Sequence, residues 1–277
     1  MKLLIFIFTL VSFSLFTSSS VAQSKIMSFN IRYDNPNDGL NWWDLRKNEV
    51  VELLKYYRPD FIGIQEALPN QTKYIAENLD AYKFIGHGRD GLDTDSEGVP
   101  IFYNSTKYEL LEEEQFWLSE TPEKVSRGWD AALNRIVVYG IFRSKATNQT
   151  FHVFNTHFDH MGETARLKSA ELLVNYIRKN NFVHKKVVLM GDFNILPSES
   201  PIKLIEQVFK DSYRIEDLPV YGPIGTFSGF DTIETVTKRI DYIFTKNVDI
   251  KSYRCIDDKR KNNLYPSDHF PIIIEIH

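Results

Sequence analysis

Cysteine is almost absent: Cys255 is alone among 277 residues, so no internal disulfide can form and stability must come from a packed core. Charge of one sign never accumulates. The longest like-charged run is Glu112-Glu113-Glu114, and 33 basic against 37 acidic residues give a net charge of −4. That balance lacks the strongly basic face that counterion-driven binding to a phosphate polymer would show, although a local basic groove remains compatible with it. Internal repeats and low-complexity linkers are also missing, which favours one folded unit. The seven histidines are scattered, leaving few nitrogen or sulfur ligands for a zinc centre.

Long apolar runs are missing as well, with one exception at the start. Met1 and Lys2 precede an apolar run over residues 3–16, and Ser18-Ser19-Ser20-Val21-Ala22 follow it. This is the layout of a secretory signal peptide, with cleavage expected after Ala22. The run is shorter than the ~20 residues a spanning helix needs, and no cysteine follows it to carry a lipid. The expectation is a signal peptide over 1–22 and one domain over 23–277, secreted or periplasmic, with no transmembrane segment after cleavage. The mature domain would carry −5, because one lysine leaves with the signal.

What is present is a core: 43% of residues are hydrophobic and 14% aromatic, enough for one large domain. Residues 25–31, 60–65, 99–103, 135–142, 150–156, 186–190, 239–244 and 271–276 read as strands. Residues 45–57 read as a helix with Val50, Leu53, Leu54 and Tyr57 on one face, ended by Arg58-Pro59-Asp60. Residues 164–178 read as another, with Leu167, Glu171, Val174 and Ile177 aligned and Ala170 beside them. Several strands are continuous apolar runs, as in sheets covered on both faces, so two packed sheets with helices outside are expected.

Polar residues recur at the ends of these strands. Glu66 follows an apolar strand and Asp268 precedes one, positions where a carboxylate is costly unless paired or bound to a cation. Hard divalent cations take oxygen ligands, so these carboxylates with the Asn30 amide suit Mg²⁺, and Mn²⁺ as an alternative. Gly191-Asp192-Phe193-Asn194 sets a carboxylate and an amide two residues apart, on one side of an extended segment. The carboxylate can take a proton from water while the amide donates to a phosphoryl oxygen. An Asx-rich turn is the other reading of that segment. His157 and His269 are candidates to assist a leaving oxygen, and Asp241 to hold a histidine in the right tautomer.

Ser28-Phe29-Asn30-Ile31-Arg32, Ile64-Gln65-Glu66, Asn155-Thr156-His157, Gly191-Asp192-Phe193-Asn194, Arg239-Ile240-Asp241-Tyr242 and Ser267-Asp268-His269-Phe270-Pro271 occur in one order. That order resembles the endonuclease/exonuclease/phosphatase superfamily, and further segments such as Trp42-Trp43 and Gly128-Trp129-Asp130 resemble its secreted bacterial hydrolases. The resemblance implies a four-layer α/β sandwich, two mixed β-sheets flanked by helices, and metal-assisted attack of water on a phosphoester. It implies that Glu66 is the main metal ligand, helped by Asn30 and Asp268, and that Asp192 activates water. It also implies that Asn194, His157 and His269 contact phosphate and that Asp241 partners His269.

Beyond that core, Gly86-His87-Gly88-Arg89-Asp90-Gly91 reads as a flexible turn able to cover the site. Arg89 and Arg135 are candidate phosphate ligands; Asp159, His160 and Arg166 are placed for substrate selection. Trp42, Trp43 and Trp129 are either stacking platforms or core. The expected substrate is a small, sugar, lipid or nucleotide phosphoester, handled by a monomer without a stable protein partner. A secreted nuclease and a non-catalytic binding module on the same fold are the alternatives. Thr156-His157-Phe158-Asp159-His160 faintly resembles a zinc hydrolase motif but lacks the preceding histidine pair.

Overall fold

The computed structural model describes residues 23–277; the expected signal segment lies outside the described residues. One sheet has seven strands in the spatial order β10 (Val220–Tyr221), β12 (Ile250–Cys255), β13 (Ile272–Ile276), β1 (Ser24–Asn30), β2 (Phe61–Gln65), β4 (Ile101–Asn104) and β3 (Tyr82–Ile85). The other has six, ordered β5 (Tyr108–Trp117), β6 (Ile136–Ser144), β7 (Thr150–His157), β8 (Lys186–Asp192), β11 (Asp241–Lys246) and β9 (Lys210–Asp211). Both are mixed: β1 runs parallel to β2 and β7 to β8, while β13 and β11 return antiparallel to β1 and β8. Helices α1 (Lys47–Tyr57) and α2 (Pro69–Asn78) cover the first sheet, and α3 (Glu163–Lys179) and α4 (Ser200–Ile205) the second.

Strand alternation explains the continuous apolar runs. In β8, Val188 and Met190 point between the sheets while Val187 and Leu189 face α3 and α4; in β1, Ile26 points between the sheets and Met27 and Phe29 face α1 and α2. Each such side chain removed from water contributes roughly 1.5–3 kcal/mol. The result is a four-layer α/β sandwich with one core between the sheets and one under each helical layer.

The sheets approach closely at Gly63, where a Cβ would lie 2.6 Å from Asn155 Oδ1. That gap lets the buried Asn155 amide cross between them. Its nitrogen donates to the carbonyls of Ile64, Val99 and Pro100 at 2.8, 3.0 and 3.1 Å, and its oxygen accepts from Gln65 Nε2 at 2.7 Å.

All eight expected strands form with end shifts of a few residues, but the reading omitted others. β5 is a ten-residue edge strand carrying Glu112-Glu113-Glu114; exposed charge is how an edge avoids pairing with another chain, and it hides the strand from a hydrophobicity pattern. Of the expected α3 face, Ala170, Val174 and Ile177 are buried, together with Ala165, Ser169 and Leu173, while Leu167 and Glu171 sit at the boundary.

Candidate functional site

Register brings the candidate residues to one end of the sandwich. Across β7, β8 and β11, His157 pairs with Asp192 and Asp192 with Asp241. On the facing sheet Asn30 pairs with Gln65, which delivers Glu66 next to it. Because β13 is antiparallel to β1, Ser267, Asp268 and His269 return beside Asn30, and Ser267 Oγ donates to the Asn30 carbonyl at 2.7 Å.

Glu66 has a left-handed backbone, φ 62°, a conformation that costs a side-chain-bearing residue roughly 1–3 kcal/mol and persists where the surroundings over-determine it. Its Oε1 accepts from Asn30 Nδ2 at 3.0 Å and its Oε2 from the Tyr33 N–H at 3.1 Å. The same Asn30 nitrogen donates to Asp192 Oδ2 at 3.0 Å, so one amide bridges carboxylates from both sheets. The Asn30 oxygen accepts from the Arg32 N–H.

Asp192 Oδ1 accepts from the Asn194 N–H at 2.9 Å. This is an Asx turn, with Asn194 at φ 52°, and it corrects the extended geometry expected for the pair. The turn still aims Asn194 inward, its Nδ2 3.0 Å from His157 Nε2. Asp192 Oδ2 lies 3.5 Å from His157 Nε2 and 3.7 Å from His269 Nε2. On its far side His269 Nδ1 donates to Asp241 Oδ2 at 2.9 Å, and that oxygen also accepts from Thr226 Oγ1 at 2.6 Å.

Burial and the neighbouring Asp241 carboxylate push the Asp192 carboxyl up to about 7, with His269 pulling the other way. Burial pulls the His269 imidazole down, but Asp241 and Asp192 outweigh it and raise it to about 10. His157 is driven well below its ordinary value, by burial first and then by Arg135 and His269. Burial also raises Asp268. The cup therefore holds a cationic and a neutral imidazole around a group of carboxylates.

That group fits a hard divalent cation. Ligand atoms of Glu66, His157 and Asp192 lie within 4.8 Å of one another, as do those of Asp192, Asp241 and His269. Asp268 adds a further carboxylate, 3.9 Å from Arg32 Nε. A largely oxygen donor set with buried negative charge is what Mg²⁺ or Mn²⁺ takes, and it does not resemble a nitrogen-rich zinc site.

The outer candidates form a second ring. Arg135 is buried, with Nε 3.4 Å from Asp159 Oδ2 and Nη2 3.1 Å from His160 Nδ1. Burial raises the Asp159 carboxyl, but the N–H groups of Gly162 and Met161 outweigh it and hold it at about 2. Arg166 donates to the Asp159 carbonyl at 3.3 Å, which makes it a support of this ring. Arg89 gives two parallel hydrogen bonds to Glu97, at 2.9 and 3.0 Å. The turn around it is anchored: Trp117 Nε1 donates to the Arg89 carbonyl at 2.7 Å, and Asn134 Nδ2 to Asp90 at 2.8 Å. These bonds tie the expected cover to the neighbouring strand and turn. Trp43 is buried core, Trp42 donates its indole N–H to Asp34, and Trp129 is half-buried.

Several contributors escaped the sequence reading. Buried Arg46 donates to the carbonyls of Ile31, Arg32, Asn41 and Pro266 at 2.5–3.1 Å, tying the chain after Asn30 to the chain before Asp268. Its place just before a helix gives no hint of that role. Thr226 and Ser267, which hold Asp241 and the Asn30 backbone, are single hydroxyls without a local signal, and Glu97 reads in sequence as one more acid of an acidic turn.

Comparison with known proteins agrees with this geometry. The family model described as the Endonuclease/Exonuclease/phosphatase family matches residues 27–269. A solved endonuclease/exonuclease/phosphatase of Bacteroides vulgatus is 38% identical, covers 92% of this chain and 99% of its own, and has a TM-score of 0.87. A mannosyl-6-phosphatase of Bacteroides thetaiotaomicron is 34% identical, with 92% and 99% covered and a TM-score of 0.86. A probable RNA exonuclease of Saccharomyces cerevisiae is 27% identical over 176 residues, 57% of this chain and 33% of that protein. The chain belongs to the endonuclease/exonuclease/phosphatase family, whose members hydrolyse phosphoesters.

Proposed function

We propose that this chain is an exported, Mg²⁺-dependent phosphomonoesterase acting as a monomer on a small sugar phosphate. The observation that carries the reading is the cup in which Asn30 bridges Glu66 and Asp192 beside the His269–Asp241 pair. Likeness over nearly the whole chain to a mannosyl-6-phosphatase supports the substrate class, and the signal-like first 22 residues support export to a secreted or periplasmic location.

Glu66 and Asp268, with the Asn30 amide beside Glu66, would hold the cation, with Mn²⁺ as a substitute. When bound, it supplies positive charge to the phosphoryl oxygens. Asp192, raised toward neutrality and held by Asn194 and Asn30, accepts the proton of the attacking water. His269, kept cationic by Asp241, directs its Nε2 into the cup and stabilises charge as it builds on the phosphoryl group. Asn194 and His157 line the same wall and orient that group.

A nuclease is the second reading, favoured by the partial likeness to an RNA exonuclease. Against it stands the rim, where Arg89 and Arg135 are already matched by Glu97 and Asp159 and so offer no free charge to a polyanion. Purified protein assayed with Mg²⁺ on mannose 6-phosphate, a small phosphodiester, plasmid DNA, RNA and phospholipid decides between them. Phosphate release from the sugar ester should dominate; rapid plasmid or RNA cleavage that falls steeply with salt would make the nuclease reading the better one.

A further inference from the structure

Beside Glu66 and His157 lies a recess of about 10 Å³, walled by Arg89, Glu97, Asn134 and Arg135. That is about the space of one water-sized sphere. Its polar groups alternate. The Arg89 guanidinium is shared with the Glu97 carboxylate at 2.9 and 3.0 Å, Arg135 lies against Asp159 at 3.4 Å, and Asn134 Nδ2 donates to Asp90.

A second phosphate would meet the Glu66 and Glu97 carboxylates here, together with cations that are already neutralised, and phosphate oxygens only accept. A hydroxyl both donates and accepts, and one hydroxyl oxygen matches the volume. The recess is also rigid relative to the cup. The Arg89 N–H donates to the Glu97 carbonyl at 2.9 Å, and Gly98 and Ala67 exchange two backbone hydrogen bonds, at 2.8 and 3.3 Å, immediately after Glu66.

We infer that this recess reads one hydroxyl of the sugar leaving group, with Glu97 as the acceptor that determines specificity and Arg89, Asn134 and Arg135 framing it. The inference rests on the phosphomonoesterase reading. It revises Arg89 from a phosphate ligand to a residue that fixes the orientation of Glu97. A hydrogen bond from a hydroxyl to a charged carboxylate is among the stronger ones, so an analogue lacking that hydroxyl loses it and is discriminated against.

The test measures kcat/KM for phosphate release from mannose 6-phosphate, its 2-, 3- and 4-deoxy analogues and p-nitrophenyl phosphate, for wild type and Glu97→Gln. Wild type should lose about 10- to 100-fold on one deoxy analogue. In Glu97→Gln the amide oxygen still accepts that hydrogen bond but without the charge, so the loss from deleting the same hydroxyl should shrink to about 3-fold. The wild-type series needs no variant to fold. Equal wild-type turnover of every deoxy analogue would overturn the inference, as would a Glu97→Gln variant that slows all substrates by one factor. Release from none of these esters by wild type would instead overturn the phosphomonoesterase reading, and the inference with it.

Discussion

Replacing Asp241 by asparagine should remove a charge and little else. Asp241 Oδ2 accepts from His269 Nδ1 and Thr226 Oγ1, and an amide oxygen in that place still accepts both. Oδ1, where the amide nitrogen would go, has no hydrogen-bond partner among the described residues. The imidazole, however, stands at about 10 against burial because Asp241 and Asp192 both favour its charged form. Asp241 raises it both through its charge and through the hydrogen bond, alongside Asp192 and Asp268, so losing Asp241 should forfeit on the order of 2–3 kcal/mol of that preference. His269 should then titrate about two units lower. The folded value lies above the unfolded one, so this stabilisation is fully present below about pH 6.5 and is lost as pH rises through about 10. Asp241→Asn should lose its share of it at neutral pH, roughly 2–3 kcal/mol. The alkaline limb of kcat/KM should move down by about two units, lowering turnover by about 2-fold at pH 8 and by about 50-fold at pH 10. The assays are pH–rate profiles and urea denaturation at pH 6, 8 and 10. An unmoved alkaline limb in a folded variant would refute the role given to the pair.

Asp192→Asn should keep the fold yet lose about 10²- to 10⁴-fold in turnover, since an amide cannot take the water proton; near wild-type turnover would make Asp192 structural. Asn155→Leu should unpair the carbonyls it serves between the sheets, costing about 2–4 kcal/mol, or roughly 5–15 °C in Tm; a loss below about 1 kcal/mol in urea denaturation would show that those groups find other partners. Away from the site, burial and then Lys185 lower the His152 imidazole to about 4, its Nδ1 2.6 Å from Tyr139 Oη. The folded value lies below the unfolded one, so stability is lost as pH falls from about 6.5 to about 4. Tm measured across that window should fall less in His152→Gln than in wild type, and parallel slopes would contradict this.

Residue chemistry at strand ends carried most of the site into view before any geometry. Glu66, Asp192 and Asp268 flank apolar strands, where an unpaired carboxylate is costly, and the register of β7, β8 and β11 then gathers His157, Asp192 and Asp241. Apolar runs located the buried strands for the same physical reason. What escaped depends on contacts distant in sequence. β5 carries its glutamates on an exposed edge, so no apolar periodicity marks it. Arg46 acts through the carbonyl of Pro266, 220 residues away. The left-handed backbone of Glu66 has no glycine to announce it. Arg89 reads as a free cation until Glu97, eight residues on, closes against it.

The central claim is a divalent cation held by the carboxylate cup, and calorimetric Mg²⁺ titration of metal-stripped wild type and Glu66→Ala tests it most directly. The account predicts one saturating heat for wild type and at least a tenfold weaker affinity for the variant, on the order of 1.4 kcal/mol or more. Equal affinities in two folded proteins, or no Mg²⁺ heat in wild type, would contradict it.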